Sequence, residues 1–162
     1  MKKNYFFTLL FVFSFSLLSF GQIVINEIDA DTDGTDVAEF IELKWTPNTA
    51  LDGYVVVLFN GSDDKSYLAF DLDGKTTDVN GLLLIGSSTV SPVPQLLIGS
   101  NVIQNGADAV AIYQANGFDF PQGTQATTPN LIDAIVYDTG EAHDVGPLNL
   151  LGLTTQISEG GN

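Results

Sequence analysis

From residue 23 onward the hydrophobic positions fall into short runs of three to nine residues. The candidates are 23–28, 37–45, 54–59, 66–72, 82–85, 96–98, 107–113 and 131–137. Each reads as a β-strand, because β-branched and aromatic residues dominate and turn chemistry separates the runs. Asn60-Gly61, Asp73-Gly74, Asn80-Gly81, Asn105-Gly106 and Asn116-Gly117 supply residues that tolerate the positive φ of tight turns. No sustained i, i+3, i+4 pattern follows residue 21, so helix signals are nearly absent. Val55-Val56-Val57-Leu58-Phe59 does not alternate, which predicts a central strand covered on both faces. Pro92 and Pro94 keep their stretch out of any central strand. Short strands at regular spacing predict an all-β sandwich, with a jelly roll or small barrel as the alternative. Leu-Ile-Gly-Ser at 84–87 recurs at 97–100, too short a match to define a repeat.

The first residues belong to a different pattern. Lys2 and Lys3 precede an apolar run from Phe6 to Leu18, and Ser19-Phe20-Gly21 puts small residues at the −3 and −1 positions. This is the layout of a secretory signal peptide over residues 1–21, cleaved before Gln22. The run is shorter than the ~20 residues of a membrane span, so stable membrane insertion is not expected. The expected location is secreted or at the cell surface. Residues 22–162 then form one domain, and with no Cys the chain has neither disulfides nor a lipid-attachment thiol. Its stability rests on the core, or on a bound ion.

Charge narrows the partners. All 20 acidic residues follow position 21, against Lys44, Lys65 and Lys75 and no Arg. Three scattered lysines cannot build a phosphate-binding stripe, so nucleic acid is excluded as a partner. Divalent cations, basic partners and uncharged glycans remain compatible with such a surface.

The acids are concentrated in INEIDADTDGTDVAEFIEL, residues 25–43, where seven carboxylates lie between two apolar stretches. Asp29-x-Asp31-x-Asp33-Gly34 resembles the start of an EF-hand calcium loop, but the twelfth position is Phe40 where a bidentate acid is required. A looser Ca²⁺ site would use Asp29, Asp31, Asp33 and Asp36 with backbone carbonyls. The competing reading is a solvated acidic turn between two strands, with no cofactor. Glu39 and Glu42 are three apart and face opposite sides of a strand. Glu27 and Glu39 could be cross-strand neighbours, but no sugar cleft accompanies them. The plainer expectation is that one glutamate accepts backbone N–H bonds from the intervening loop.

Catalytic patterns are missing. His143 is the one histidine, in a Gly-Glu-Ala-His-Asp stretch that reads as a loop. There is no G-x-S-x-G elbow, no thiol nucleophile, no zinc-ligand set, no Walker loop and no dinucleotide fingerprint. Trp45, Tyr54, Tyr67, Phe118 and Phe120 could form a glycan-stacking platform or simply fill the core, with Phe118-Asp119-Phe120-Pro121 the most exposed candidate.

Several of these segments taken together resemble a known family. Ile25-Asn26-Glu27-Ile28, Gly34-Thr35-Asp36 and Glu39-Phe40-Ile41-Glu42-Leu43 look like the opening of a lamin tail domain of the secreted bacterial type. Leu51-Asp52-Gly53-Tyr54 and Leu58-Phe59-Asn60-Gly61 continue the likeness, as do residues 103–111 (Ile-Gln-Asn-Gly-Ala-Asp-Ala-Val-Ala) and 131–137. The resemblance covers roughly residues 22–159. It implies an immunoglobulin-like β-sandwich with a non-catalytic role in protein or cell-surface interaction, and it brings no catalytic residues. Two alternatives accompany it: an accessory module of a larger secreted nuclease or phosphatase-type hydrolase, and a calcium-dependent carbohydrate-binding module. Asp33 departs from the family pattern, where Pro is frequent. The pattern also usually runs into a further strand beyond the point where this sequence stops, which implies either truncation at the C-terminus or a different closure.

Overall fold

The computed structural model describes residues 21–32 and 34–159. The leader expected over 1–21 thus lies outside the described residues except for Gly21, and so does Asp33. Two sheets account for the described strands. β1 (Val24–Asp29), β2 (Phe40–Lys44), β5 (Leu82–Ser87) and β6 (Leu96–Ile98) form a four-stranded sheet in the order β1-β2-β5-β6. β3 (Tyr54–Asn60), β4 (Lys65–Asp71), β7 (Asp108–Gln114), β8 (Leu131–Asp138) and β9 (Gln156–Ser158) form a five-stranded sheet in the order β4-β3-β7-β8-β9. Neighbours are antiparallel except for the β5–β6 and β8–β9 pairs. All eight predicted strands are present.

Side-chain alternation decides where the core lies. Ile41, Leu43, Leu83 and Ile85 of the first sheet meet Val56, Leu58, Val110, Ile112 and Tyr137 of the second in one buried cluster. This is a sandwich core, and each fully buried aliphatic side chain contributes about 1.5–3 kcal/mol. The intervening residues Val55, Val57, Phe59, Ala109, Ala111 and Val136 point the other way and are equally buried. Phe120, Ala126, Leu148 and Leu151 cover them. The unalternating run in β3 therefore reflects a sheet packed on both faces. The alanines on that outer face keep the surface shallow enough for the cover to seat closely.

The cover includes an element that periodicity does not announce. Val145–Leu151 is an α-helix, α1, of seven residues. Asp144 caps it by accepting the Gly146 N–H at 2.9 Å, and Gly152 ends it with φ 71°. Pro147, Leu148 and Leu151 form its buried side. β9 follows and pairs with Val136, Tyr137 and Asp138 of β8, so the C-terminal residues extend the second sheet by a strand. The two Leu-Ile-Gly-Ser strings lie on adjacent parallel strands, with Gly86 opposite Leu97 rather than in matched register.

Candidate functional site

β1, β3, β5 and β8 finish at the same end of the sandwich, where β2, β4 and β7 begin. Together with the strand-end residues Asp29, Asp108 and Asp138, the loops at this end carry more than half of the described carboxylates. The segment joining β6 to β7, residues 99–107, crosses this end between the sheets and is tied down residue by residue. Glu39, fully buried, accepts the Val102 N–H at 2.6 Å and the Ile103 N–H at 2.5 Å. Gln104 is clamped by two tyrosines: its N–H donates to Tyr67 Oη at 3.1 Å and its carbonyl accepts from Tyr137 Oη at 2.8 Å. Burial pushes both tyrosine hydroxyls up, so both remain protonated.

The acidic stretch forms its own knot against this crossing. Ile25, Ile28 and Ile41 sit in the β1–β2 ladder as expected, with the 30–39 segment linking the strands. The register places Glu27 opposite Glu42, so Glu27 and Glu39 are not cross-strand partners. Glu39 lies just before β2 and turns inward. It does accept backbone N–H bonds, as the plainer reading required, but from residues 102 and 103 instead of the loop between β1 and β2. Burial raises its pKa despite those two donors, which oppose the shift.

Of the four residues considered for Ca²⁺, Asp33 is outside the described residues. Asp36 is buried and already occupied: Oδ1 accepts the Thr32 N–H at 3.0 Å and Oδ2 accepts from Asn105 Nδ2 at 3.0 Å. Asn105 also reaches Asp31 Oδ1 at 3.4 Å. Asp29 lies within electrostatic reach of Glu159 as well as of Asp31 and Asp36. Glu159 Oε1 accepts the N–H groups of Ala30 at 2.9 Å and Asp31 at 3.4 Å. Burial raises the pKa of both acids; Glu159 opposes the rise at Asp29 while Asp31 and Asp36 add to it, and Asp29 adds to the rise at Glu159. Among the described residues no three His, Cys, Asp or Glu side chains are placed to hold one metal ion.

Beside this knot opens a polar cleft of about 700 Å³. Among the residues lining it is Asp108, the first residue of β7, which is only 5 % exposed. Asp108 Oδ1 accepts the Gly61 N–H at 2.8 Å. Its Oδ2 receives no hydrogen bond from any described residue, and the side chain lines the cleft. Glu141 and Asp144 line it together with Asn60, Ser62 and Gln104. Burial pushes the Asp108 carboxyl up to about 6, the Gly61 N–H pulls against this, and Glu141 and Asp144 add to the rise. Gly61 is required by close approach: a Cβ there would lie 1.8 Å from the Ala107 carbonyl oxygen. No lysine lines the cleft. Sequence reasoning did not single out Asp108. Its place in the Gln104–Asn105–Gly106–Ala107–Asp108 stretch, straight after a turn and at the head of a strand, was the available signal.

The remaining candidates disperse. His143 is exposed in its loop near Asp138. Trp45 packs edge-on against Tyr54 with centroids 5.5 Å apart, and its Nε1 donates to the Gly21 carbonyl at 2.5 Å. Phe120 is buried against Tyr113 at 4.4 Å, which corrects the expectation that it shares an exposed patch with Phe118. Its ring fills the space above Ala109 and Ala111, whereas Phe118 is 80 % exposed. No glycan-stacking platform is assembled from the five aromatics. No family model matches this chain, and no curated protein matches it. No helix among the described residues is long and apolar enough to cross a membrane.

Proposed function

We propose that this chain is a secreted, non-catalytic module of the lamin-tail-like, immunoglobulin-like type, acting in protein or cell-surface interaction. The observation that carries this reading is how the carboxylates at the acidic end are used. Glu39, Asp36 and Glu159 are spent on fixing loops through backbone N–H groups, which builds a rigid surface and leaves them poorly placed for proton transfer. The two packed sheets and the segments resembling a lamin tail domain support the fold side of the reading. A role as accessory module to a nuclease or phosphatase-type hydrolase is the second reading, and a calcium-dependent glycan module the third. The acidic knot is the feature that bears on the last of these.

The test is retention of the labelled, exported protein on intact cells of its own source, together with assays on nucleic acid, phosphoester and glycoside substrates. Saturable retention without turnover is expected. Turnover that disappears in His143→Ala or Glu39→Ala protein would overturn the non-catalytic assignment.

A further inference from the structure

The cleft over Asp108 is more specific than an acidic surface. Asp108, which lines it, is more than nine-tenths buried, and one of its two oxygens accepts no hydrogen bond from a described residue. Desolvating a carboxylate is costly, and natural interiors normally satisfy both oxygens. Asp108 Oδ1 is satisfied by Gly61, and Oδ2 is not. Glu141 and Asp144 are near enough to act on it electrostatically, and no lysine lines the space to balance the three. The site is therefore short of positive charge, and Asp108 Oδ2 has no donor among the described residues.

The shape limits what can supply them. The carboxylates surround a space instead of converging on a point, since no three acids among the described residues can hold a single metal ion. A volume of about 700 Å³ admits a side chain or small organic ligand. No aromatic ring lines the cleft, so a neutral sugar would have nothing to stack upon. What fits is a planar cation with several donors, weakly hydrated and carried on a flexible stem. We propose that the cleft receives an arginine side chain of a protein partner, with the guanidinium donating to Asp108 Oδ2 and flanked by Glu141 and Asp144. This rests on the reading that the chain is an interaction module, and it names the chemistry by which the partner is recognised.

The full exported chain, labelled with ¹⁵N, is titrated with a blocked Arg-Gly hexapeptide at physiological salt. A Lys-Gly hexapeptide and spermidine are the comparison probes. The Arg peptide is expected to shift the amide signals of Gly61, Asp108 and Glu141, with the Lys peptide and spermidine several-fold weaker, because only guanidinium matches carboxylate in bidentate fashion. Asp108→Asn retains an acceptor for the Gly61 N–H and is expected to weaken binding about tenfold, equivalent to about 1.4 kcal/mol. Ser62→Arg, at an exposed position lining the cleft, is expected to fill the cleft from within and abolish binding while the remaining spectrum stays native. The proposal is overturned if the Arg peptide gives no localised shifts up to ~10 mM. It is equally overturned if the two variants bind as well as the parent, or if spermidine matches the Arg peptide. If cell retention survives in Ser62→Arg protein, the cleft assignment fails and the interaction role stands. If Arg peptide binds but the parent protein is never retained on cells, the role fails and the cleft assignment stands.

Discussion

Glu39 and Ile103 are 64 residues apart in sequence, yet the Ile103 N–H points at Glu39 Oε2 from 2.5 Å. With the Val102 N–H on Oε1, one buried carboxylate holds the segment that crosses the end of the sandwich. Glu39→Ala leaves two N–H groups without an acceptor and is expected to cost about 2–4 kcal/mol, whereas Glu39→Gln retains one acceptor and costs about half as much. Urea denaturation of the two variants checks the order. Equal losses would show that burial, and not the pair of hydrogen bonds, sets the effect.

The cleft makes a separate demand on Gly61. Its backbone φ is not in the left-handed region, so the constraint is space alone: a Cβ would meet the Ala107 carbonyl at 1.8 Å. Gly61→Ala must push β3's exit away from β7 and is expected to destabilise by about 3 kcal/mol. Gly74→Ala is the informative contrast. There the added Cβ meets no atom within 4 Å and the cost comes only from φ 74°, about 1–2 kcal/mol. Thermal melts of the two variants should separate the mechanisms, with Gly61→Ala also losing the native amide signal of Asp108.

Stability should depend on pH in an unusual direction. The carboxyl of Asp108 is raised to about 6 by burial, and Asp29, Glu39, Asp64 and Glu159 are raised for the same leading reason. A raised acid takes up its proton in the folded chain before the unfolded chain does, so stability increases as pH falls from 7 through 6 toward the ordinary carboxylate range. Asp71, Asp78 and Asp138 are lowered, chiefly by hydrogen bonds from Gly117, from Leu82 and from Gln156 with Ser158 respectively. Their contribution is present above the ordinary value and is lost as pH falls below it. The two groups together place the stability maximum at roughly pH 4–5. Denaturant melts from pH 3 to 8 test this, and Asp108→Asn should flatten the limb between 5 and 7. A maximum at 7 or above would show that these burial shifts are not realised.

The acidic turn gives a prediction about calcium. Asp36 already has an N–H or amide donor on each oxygen, and no three acids among the described residues are placed to hold one ion. Millimolar CaCl₂ is therefore expected to move the melting temperature no more than NaCl of equal ionic strength. An ion bound at tenfold excess over its Kd would add about 1.4 kcal/mol and raise the melt by roughly 3–5 °C. A shift of that size, lost in Asp31→Asn with Asp33→Asn, would instead establish the site.

The strands were legible because alternation and Asn-Gly or Asp-Gly turns are local signals, and even the double-sided burial of β3 showed as five consecutive apolar residues, Val55–Phe59. α1 was not, because seven residues containing Gly146 and Pro147 cannot display two turns of periodicity. Its only traces were Asp144 before it and Gly152 after it. β9 is three residues with two exposed, too little pattern to separate from a loop. The candidate site was legible only as composition. That Glu39 turns inward to residues 102 and 103, or that Asp108 meets Gly61 across 47 positions, depends on which loop crosses which end of the sandwich. No local spacing encodes that.

Trp45 is the chain's single tryptophan, and its indole N–H rests on the carbonyl of Gly21. If export removes residues 1–21, the enzyme that cuts the chain also removes this acceptor. The indole keeps Tyr54 at its edge but must turn to water for its hydrogen bond. The emission of one fluorophore thus becomes a clock for maturation: unprocessed and processed chains should differ in wavelength and quenching with the rest of the fold unchanged, so processing can be followed in real time without any label.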